Sequence, residues 1–342
     1  MINLLVAGAG LIGQRHVDLI SNADGLRVSA IADPAPAAEA LAAAQGATWS
    51  RSLSEALKQE RPDGIILATP NRLHVEDGLR AVEAGIPCLV EKPIATCAEE
   101  GEKLVAAAES AGVPLLVGHH RRHNPIIHAA KAAIDEGRLG QIVAVHGMFW
   151  LFKPDDYFDA AWRREPGAGP VFVNLIHDID LLAWLVGDIE EVDAKTSNAV
   201  RGHAVEETAA VILKFANGAL GTFSVSDTVA APWSWELTSG ENPVYPHCAE
   251  SCYWFGGTHG SLQLPQNQIW AHDDQRSWWE PISTSALETR PSDPLITQLE
   301  NFRDVINGTA KPVVPGTAGL KALKVIEAIH ASALSAGPVR VT

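Results

Sequence analysis

The chain is poor in cysteine. Four residues in 342, Cys88, Cys97, Cys248 and Cys252, are too few for a disulfide-built scaffold, and a chain of this length buries enough apolar surface not to need one. His247, Cys248, Cys252 and His259 lie near one another, but without a paired C-x-x-C spacing and among apolar residues, so free thiols are expected and no metal. Basic charge is also scarce. With 26 Lys and Arg against 41 Asp and Glu, the formal net charge is −15, and no Lys/Arg-rich run offers the positive patch that a nucleic acid requires. No apolar run reaches the roughly 20 residues of a membrane helix. Met1-Ile2-Asn3-Leu4-Leu5-Val6 enters a strand pattern without a basic leader or cleavage site, so a cytoplasmic location is expected.

What the chain does have is apolar residues in two kinds of order. Hydrophobic residues make up 46% of it, enough for two cores. Short apolar strands at 4–7, 27–32, 64–68, 88–90 and 115–118 alternate with helical patterns at 11–20, 35–45, 74–84 and 98–111. Such alternation implies a doubly wound parallel sheet, an α/β Rossmann domain over 1–124. After Asn124-Pro125 the order changes. A helix at 126–136 precedes strand-like runs at 142–150, 209–215, 219–227 and 261–264, with Asn217-Gly218 as a turn, so residues 125–342 are expected to form an α+β domain with a largely antiparallel open sheet. The Trp-, Pro- and Gly-containing stretch 229–290 has weak periodicity and reads as long loops on strand edges. Helices at 294–306 and 316–334 close the chain, with packing back onto the first domain left open.

Gly8-Ala9-Gly10-Leu11-Ile12-Gly13 follows a strand and opens a helix, the context in which G-x-G-x-x-G predicts dinucleotide binding. Gly8 permits the tight turn, Gly10 lets backbone approach a pyrophosphate and Gly13 allows close helix packing. Asp33 ends the second strand about 20 residues later, where a carboxylate accepts from a ribose hydroxyl pair and repels a 2′-phosphate, so NAD is expected over NADP. Thr69-Pro70-Asn71 with His74, and Glu91-Lys92-Pro93, fall at the carboxyl ends of two further strands, which border the ligand crevice of such sheets.

These motifs, followed by Gly118-His119-His120-Arg121-Arg122-His123-Asn124-Pro125, Trp162-Arg163, and His177 with Asp180, together resemble the glucose-fructose oxidoreductase/inositol dehydrogenase/rhizopine catabolism family over essentially the whole chain. The resemblance implies that Lys92 and His177 are catalytic and flank the reacting carbon. It implies a cofactor set of Gly8, Gly10, Leu11, Ile12, Gly13, Asp33, Thr69, Pro70, Asn71, His74, Glu91 and Lys92, with Trp162 and Arg163. It also implies a homo-dimer or homo-tetramer formed through the open sheet. An imidazole such as His177 can take a hydroxyl proton, and Lys92 can stabilise the developing alkoxide. Asp180, three residues on, shares a helical face with His177.

In one respect the chain departs from the family: relatives resembling inositol dehydrogenase carry an aspartate four residues before the histidine, where this chain has Val173 and then Asn174. Either Asp180 takes over the aspartate's role or Asn174 contacts substrate. Lys92, His119, Arg122, Lys153, Tyr157, Asn174 and His177 are the expected substrate residues. Arg121 and Arg122 suit a carboxylate or the cofactor phosphates, and equally an ion-paired domain linker. Trp233, Trp235, Trp254, Trp278 and Trp279 suit sugar stacking, and equally core packing or a subunit interface. The expected function is NAD-dependent oxidation of a secondary hydroxyl on a sugar, cyclitol or related ring, or the reverse reduction. A dehydrogenase for a dihydrodiol or ring carboxylate is an alternative. A non-catalytic dinucleotide or sugar sensor is another, disfavoured by the presence of both Lys92 and His177.

Overall fold

The computed structural model describes residues 1–290 and 292–342, in two compact units. Met1–His123 and Asp293–Leu323 form the first, and Asn124–Ser292 with Lys324–Thr342 the second. No helix among the described residues is long and apolar enough to cross a membrane.

In the first unit, strands and helices alternate as β1 (Ile2–Ala7), α1 (Leu11–Ser21), β2 (Leu26–Ala32), α2 (Pro36–Gln45), β3 (Thr48–Ser50), α3 (Leu53–Gln59), β4 (Gly64–Leu67), α4 (His74–Glu83), β5 (Cys88–Val90), α5 (Ala98–Ala111) and β6 (Leu115–Val117). All strand pairs are parallel and the order is β3-β2-β1-β4-β5-β6, the doubly wound Rossmann arrangement, whose order reverses between β1 and β4. Local chemistry sets the helix ends. Pro36 opens α2, Gly46 closes it with φ 62°, and the Ser52 side chain accepts from the Glu55 N–H at the start of α3. The strands carry continuous apolar runs because both faces are covered, and Leu4, Val6, Ile31 and Ile66 are fully buried, each contributing roughly 1.5–3 kcal/mol. β3 and α3 were not read from sequence, being too short to show a period.

In the second unit the chain forms α6 (Pro125–Asp135), β7 (Ile142–Trp150), α7 (Ile176–Val186), β8 (Ile189–Ser197), β9 (Thr208–Phe215), β10 (Leu220–Ser226), α8 (Trp235–Thr238), β11 (Tyr253–Gly257), β12 (Gly260–Leu264), β13 (Gln268–Ala271) and β14 (Ser283–Ala286). Asn124 accepts from the Ile126 N–H to cap α6, and Pro125 follows it. The chain then makes α9 (Pro294–Ile306), α10 (Gly316–Ser335) and β15 (Val339–Arg340). Helix α9 belongs to the first unit, where Leu299, Phe302 and Val305 join the core around Leu4 and Ile66. It packs so closely that a Cβ on Gly64 would stand 2.6 Å from Ile306 Cδ1.

The second sheet has nine strands in the order β14-β13-β12-β11-β7-β10-β9-β8-β15. Every pair is antiparallel except β7 with β10. In β9 buried and exposed residues alternate, leaving one face open with Ile212, Leu220 and Trp270 exposed on it. The expectation of long loops over 229–290 is corrected here. That stretch holds α8, β11, β13 and β14 besides β12, and it forms strands because neighbours pair residue by residue, Trp254 with His146 and Gln263, Trp270 with Ser261 and Thr284. Strands of four or five residues are held by such cross-strand pairs, which leave no periodic trace.

Candidate active site

The glycine loop closes on the end of β4. Gly8 adopts φ +91°, and a Cβ there would meet Ala68 O at 2.4 Å, while a Cβ on Gly13 would meet Gly8 O at 1.9 Å. Packing within the unit thus dictates two of the glycines. Gly10 differs, since nothing lies within 4 Å of the position its Cβ would take. It is also the N-cap of α1, with no side-chain cap and no acidic residue in the first turn. An eleven-residue helix with a bare, uncapped N-terminus is electrostatically suited to an anion. Leu11 beside it is 92% exposed, an apolar side chain on the open side of the loop, and Ile12 is half-buried. Asp33 Oδ2 accepts from the Ala9 N–H and Oδ1 from the Ala35 N–H, both at 2.7 Å, so this carboxylate ties the glycine loop to the end of β2 and keeps lone pairs for a diol. These residues fit the pyrophosphate and ribose of a dinucleotide.

Next to this cradle stand the ends of β4, β5 and β6. Thr69 Oγ1 is buried without a hydrogen-bond partner among the described residues, and Pro70 and Asn71 are exposed. His74, 1% exposed, sets Nδ1 2.8 Å from Pro93 O and Nε2 2.8 Å from Thr69 O. Glu91 Oε1 lies 2.8 Å from Nε2 of His16, which is also 1% exposed. Burial pushes the Glu91 carboxyl up, but the His16 hydrogen bond with the charges of His16, His120 and Lys92 outweighs it and holds the group below the usual glutamate value. Lys92 is half-buried between Glu91 and Pro93, and its bond to Pro93 is cis. His119, Arg121, Arg122 and His123 are buried in this unit at the end of β6.

In the second unit, His177, Asp178 and Asp180 are buried on α7, and the Tyr253 hydroxyl donates to Asp178. Val171–Leu175, immediately before α7, is wound as a π turn, a form that occurs disproportionately at functional sites. Two side chains hold it. Glu206 Oε1 accepts from the Val171 N–H (3.1 Å), and Lys153 Nζ donates to Asn174 Oδ1 (2.9 Å). Lys153 is buried 3.4 Å from Asp227, which also pairs with Arg201 at 2.5 Å. Arg201 donates further to Lys153 O and Asp227 O, at 2.9 and 2.8 Å. Burial pulls the Lys153 amine below its ordinary value against the opposing pull of Asp227, and burial raises the Glu206 carboxyl. The Tyr157 ring lies 5.0 Å from Lys153 Nζ and 4.1 Å from the Arg163 guanidinium. Arg163 donates to Tyr157 O at 2.7 Å, while its Nε is buried without a partner among the described residues. Trp162 next to it is exposed.

The structure thus gathers Thr69, His74, Glu91 and Lys92 in one unit, and Lys153, Tyr157, Arg163 and Asn174 in the other. Sequence reading missed His16, one helical turn past Gly13, and the trio Arg201, Glu206 and Asp227. His16 had a signal in its spacing, whereas Arg201 and Asp227 are 48 and 74 positions beyond Lys153 and had none. Among the described residues no group of three or more His, Cys, Asp or Glu side chains is arranged to hold a metal.

A parallel sheet ordered 3-2-1-4-5-6 with this glycine loop defines a dinucleotide-binding protein, here joined to a unit built on a mixed open sheet. Residues 2–119 match the model of the oxidoreductase family with an NAD-binding Rossmann fold, and residues 127–263 match the GFO/IDH/MocA C-terminal domain. The chain belongs to the GFO/IDH/MocA oxidoreductase family, with an NAD-binding first unit. It is 31% identical over 228 residues to inositol 2-dehydrogenase 2 of Saccharopolyspora erythraea, a match taking in 64% of this chain and 65% of that relative, just under two thirds of its length. With the 4-carboxy-2-hydroxymuconate-6-semialdehyde dehydrogenase of a Sphingobium species it shares 31% identity over 232 residues, 66% of this chain and 72% of the relative. The solved structure of the WlbA dehydrogenase from Bordetella pertussis in complex with NADH and UDP-GlcNAcA is 28% identical, and the match covers 100% of this chain and 99% of that one at a TM-score of 0.79.

Proposed function

We propose that the protein is an NAD-dependent dehydrogenase that oxidises a secondary hydroxyl of a sugar, cyclitol or related hydroxylated ring, or reduces the corresponding ketone. The observation that carries this reading is Lys92 on a strand end in the unit whose glycine loop presents a bare helix N-terminus. The inositol dehydrogenase relative supports the substrate class.

Bound NAD supplies the acceptor for the hydrogen and electron pair of the substrate C–H bond. Gly10 and the first turn of α1 hold its pyrophosphate, and Asp33 its ribose. Thr69, Pro70 and Asn71 line the cofactor, while His74 and Glu91 shape the loops beneath. In the second unit, Trp162 and Arg163 complete the cofactor contacts. His177 accepts the hydroxyl proton as the carbonyl forms, and Lys92 stabilises negative charge on that oxygen. In reduction both roles reverse. Asp180, one turn along α7, orients the imidazole. His119 and Arg122, with Lys153, Tyr157 and Asn174, shape the substrate side, and the open second sheet joins copies into a dimer or tetramer.

A second reading, a substrate with a carboxylate, is favoured by a specific polarity. An ammonium only donates, so Lys153 must face the oxygen of the Asn174 amide, which turns the amide N–H pair away as donors. The unpartnered Arg163 Nε adds another donor. The UDP-GlcNAcA in the WlbA complex and the name of the Sphingobium relative agree with this.

The test is steady-state kinetics with NAD over a panel of inositols, neutral sugars, sugar acids and dihydrodiols. His177→Ala should cost roughly 10²–10⁴-fold in turnover on the best substrate, with NAD affinity nearly unchanged. Near wild-type turnover in that variant would overturn the assignment, and turnover of none of the panel would favour the sensor.

A further inference from the structure

Lys92 is bracketed. On its amino side, Glu91 is held through Oε1 by His16, reaching from α1. The other carboxylate oxygen lies so near the backbone at the end of β6 that a Cβ on Gly118 would stand 2.8 Å from it. On its carboxyl side, Pro93 O is held by His74 Nδ1, and the same ring through Nε2 holds Thr69 O at the end of β4. Both histidines are almost fully buried. One stands on the helix that starts at the glycine loop, the other on the helix that follows the Thr69 loop.

A lysine that must stabilise charge on one oxygen needs a fixed origin, because its long stem gives it many rotamers and a displacement of about 1 Å costs on the order of 100-fold in rate. Lys92 is half-buried while Glu91 and Pro93 on either side of it are buried, so whatever fixes those two neighbours sets the origin of the lysine. We propose that His16 and His74 are positioning residues, which hold the Glu91 side chain and the Pro93 carbonyl on either side of Lys92 and register it against the NAD cradle while touching neither cofactor nor substrate. This rests on the reading of Lys92 as the charge-stabilising group. Both partners of the His74 ring are carbonyl oxygens, which only accept, so each bond needs its own ring N–H, and the two have separate duties, Nδ1–H fixing the Lys92 segment and Nε2–H fixing the Thr69 loop beside the cofactor.

The two duties can be separated by substitution. The Asn amide nitrogen stands where histidine Nδ1 stands, and the longer Gln amide reaches the place of Nε2, so His74→Asn keeps the grip on Pro93 and His74→Gln the grip on Thr69. His74→Gln should lose about 10- to 100-fold in turnover with NAD affinity within about threefold of wild type. His74→Asn should keep turnover within about threefold and weaken NAD binding instead, by about 3- to 10-fold. Without any substrate, amide hydrogen exchange over 91–95 should quicken in His74→Gln and stay slow in His74→Asn. If the bonds serve stability alone, the two variants lose one buried bond each and fall together in every readout, which overturns the proposal. Should neither fold, His16→Gln, which keeps a donor for Glu91, is compared with His16→Leu. Turnover and exchange over 91–95 should be preserved in the first and lost in the second, and equal behaviour overturns the proposal. Lys92→Met separates the two readings. Retained turnover there removes the role of Lys92 itself, whereas a dead Lys92→Met beside a fully active His74→Gln removes only the clamp.

Discussion

The two units hold their candidate residues by different physics. In the first, glycines that cannot carry a Cβ, one carboxylate on two backbone N–H groups and two buried histidines on carbonyl and carboxylate oxygens fix the loops at the strand ends. In the second, a buried network of full charges, Lys153, Asp227 and Arg201, anchors the π turn before His177. Backbone packing tolerates no added atom but involves little charge. A charge network tolerates changes of shape, yet it fails when one sign is removed, because an uncompensated buried ion costs more than the pair contributes.

The largest effect is therefore expected from Asp227→Asn, which keeps the shape and deletes the charge between two buried cations. The second unit should lose about 3–5 kcal/mol, read from thermal and denaturant melts. A loss confined to a few tenths would show that solvent already screens the network and would erase the contrast. Next comes Gly13→Ala, whose methyl must displace Gly8 O. It should destabilise the first unit by roughly 1–3 kcal/mol and abolish measurable NAD binding in calorimetry, whereas Gly10→Ala, entering open space, should leave the melt within about 0.5 kcal/mol. Equal melts for the two would mean that the loop yields more readily than its packing implies. The smallest effect belongs to Asp33→Ser. NAD affinity should fall about tenfold, roughly the worth of one hydrogen bond to a charged group, and the preference over NADP should narrow. Tighter binding of NADP than NAD by the unchanged protein would remove the premise.

The same contrast explains what could be read from sequence. Gly8 and Gly13 are legible because backbone geometry forces their identity at fixed spacing, Gly10 because it stands between them as the N-cap of α1, and the apolar strands of the first unit because both faces are buried. Long periodic helices such as α5 and α9 were recovered with ends at most a residue or two adrift. Strand β8 was missed because its buried residues, Ile189, Val192 and Ala194, are spaced unevenly across an irregularity after Ile189 and set among Glu190, Glu191 and Asp193. Strands β11, β13 and β14 were missed because only pairing defines them. In the site, Lys92 and His177 were named from motifs, but the side chains that hold their neighbours, such as His16 on Glu91 and Lys153 on Asn174, come from chain-distant positions. His74 and Glu91, expected against the cofactor, have their polar atoms engaged with Pro93, Thr69 and His16.

The single parallel pair in the second sheet has a consequence for how that unit assembles. β8, β9 and β10 are joined in sequence and pair antiparallel, so they can zip together soon after the chain collapses. The pairing of β10 with β7 must wait for the connection 151–219, which contains the π turn and the helix of His177, to be brought back across the sheet. Closing so long a connection sacrifices chain entropy before any contact rewards it, which makes this step a natural candidate for the slow one in refolding. The segment that carries the proposed base is then among the last to be locked in, and recovery of activity after denaturation should lag behind recovery of β-sheet signal.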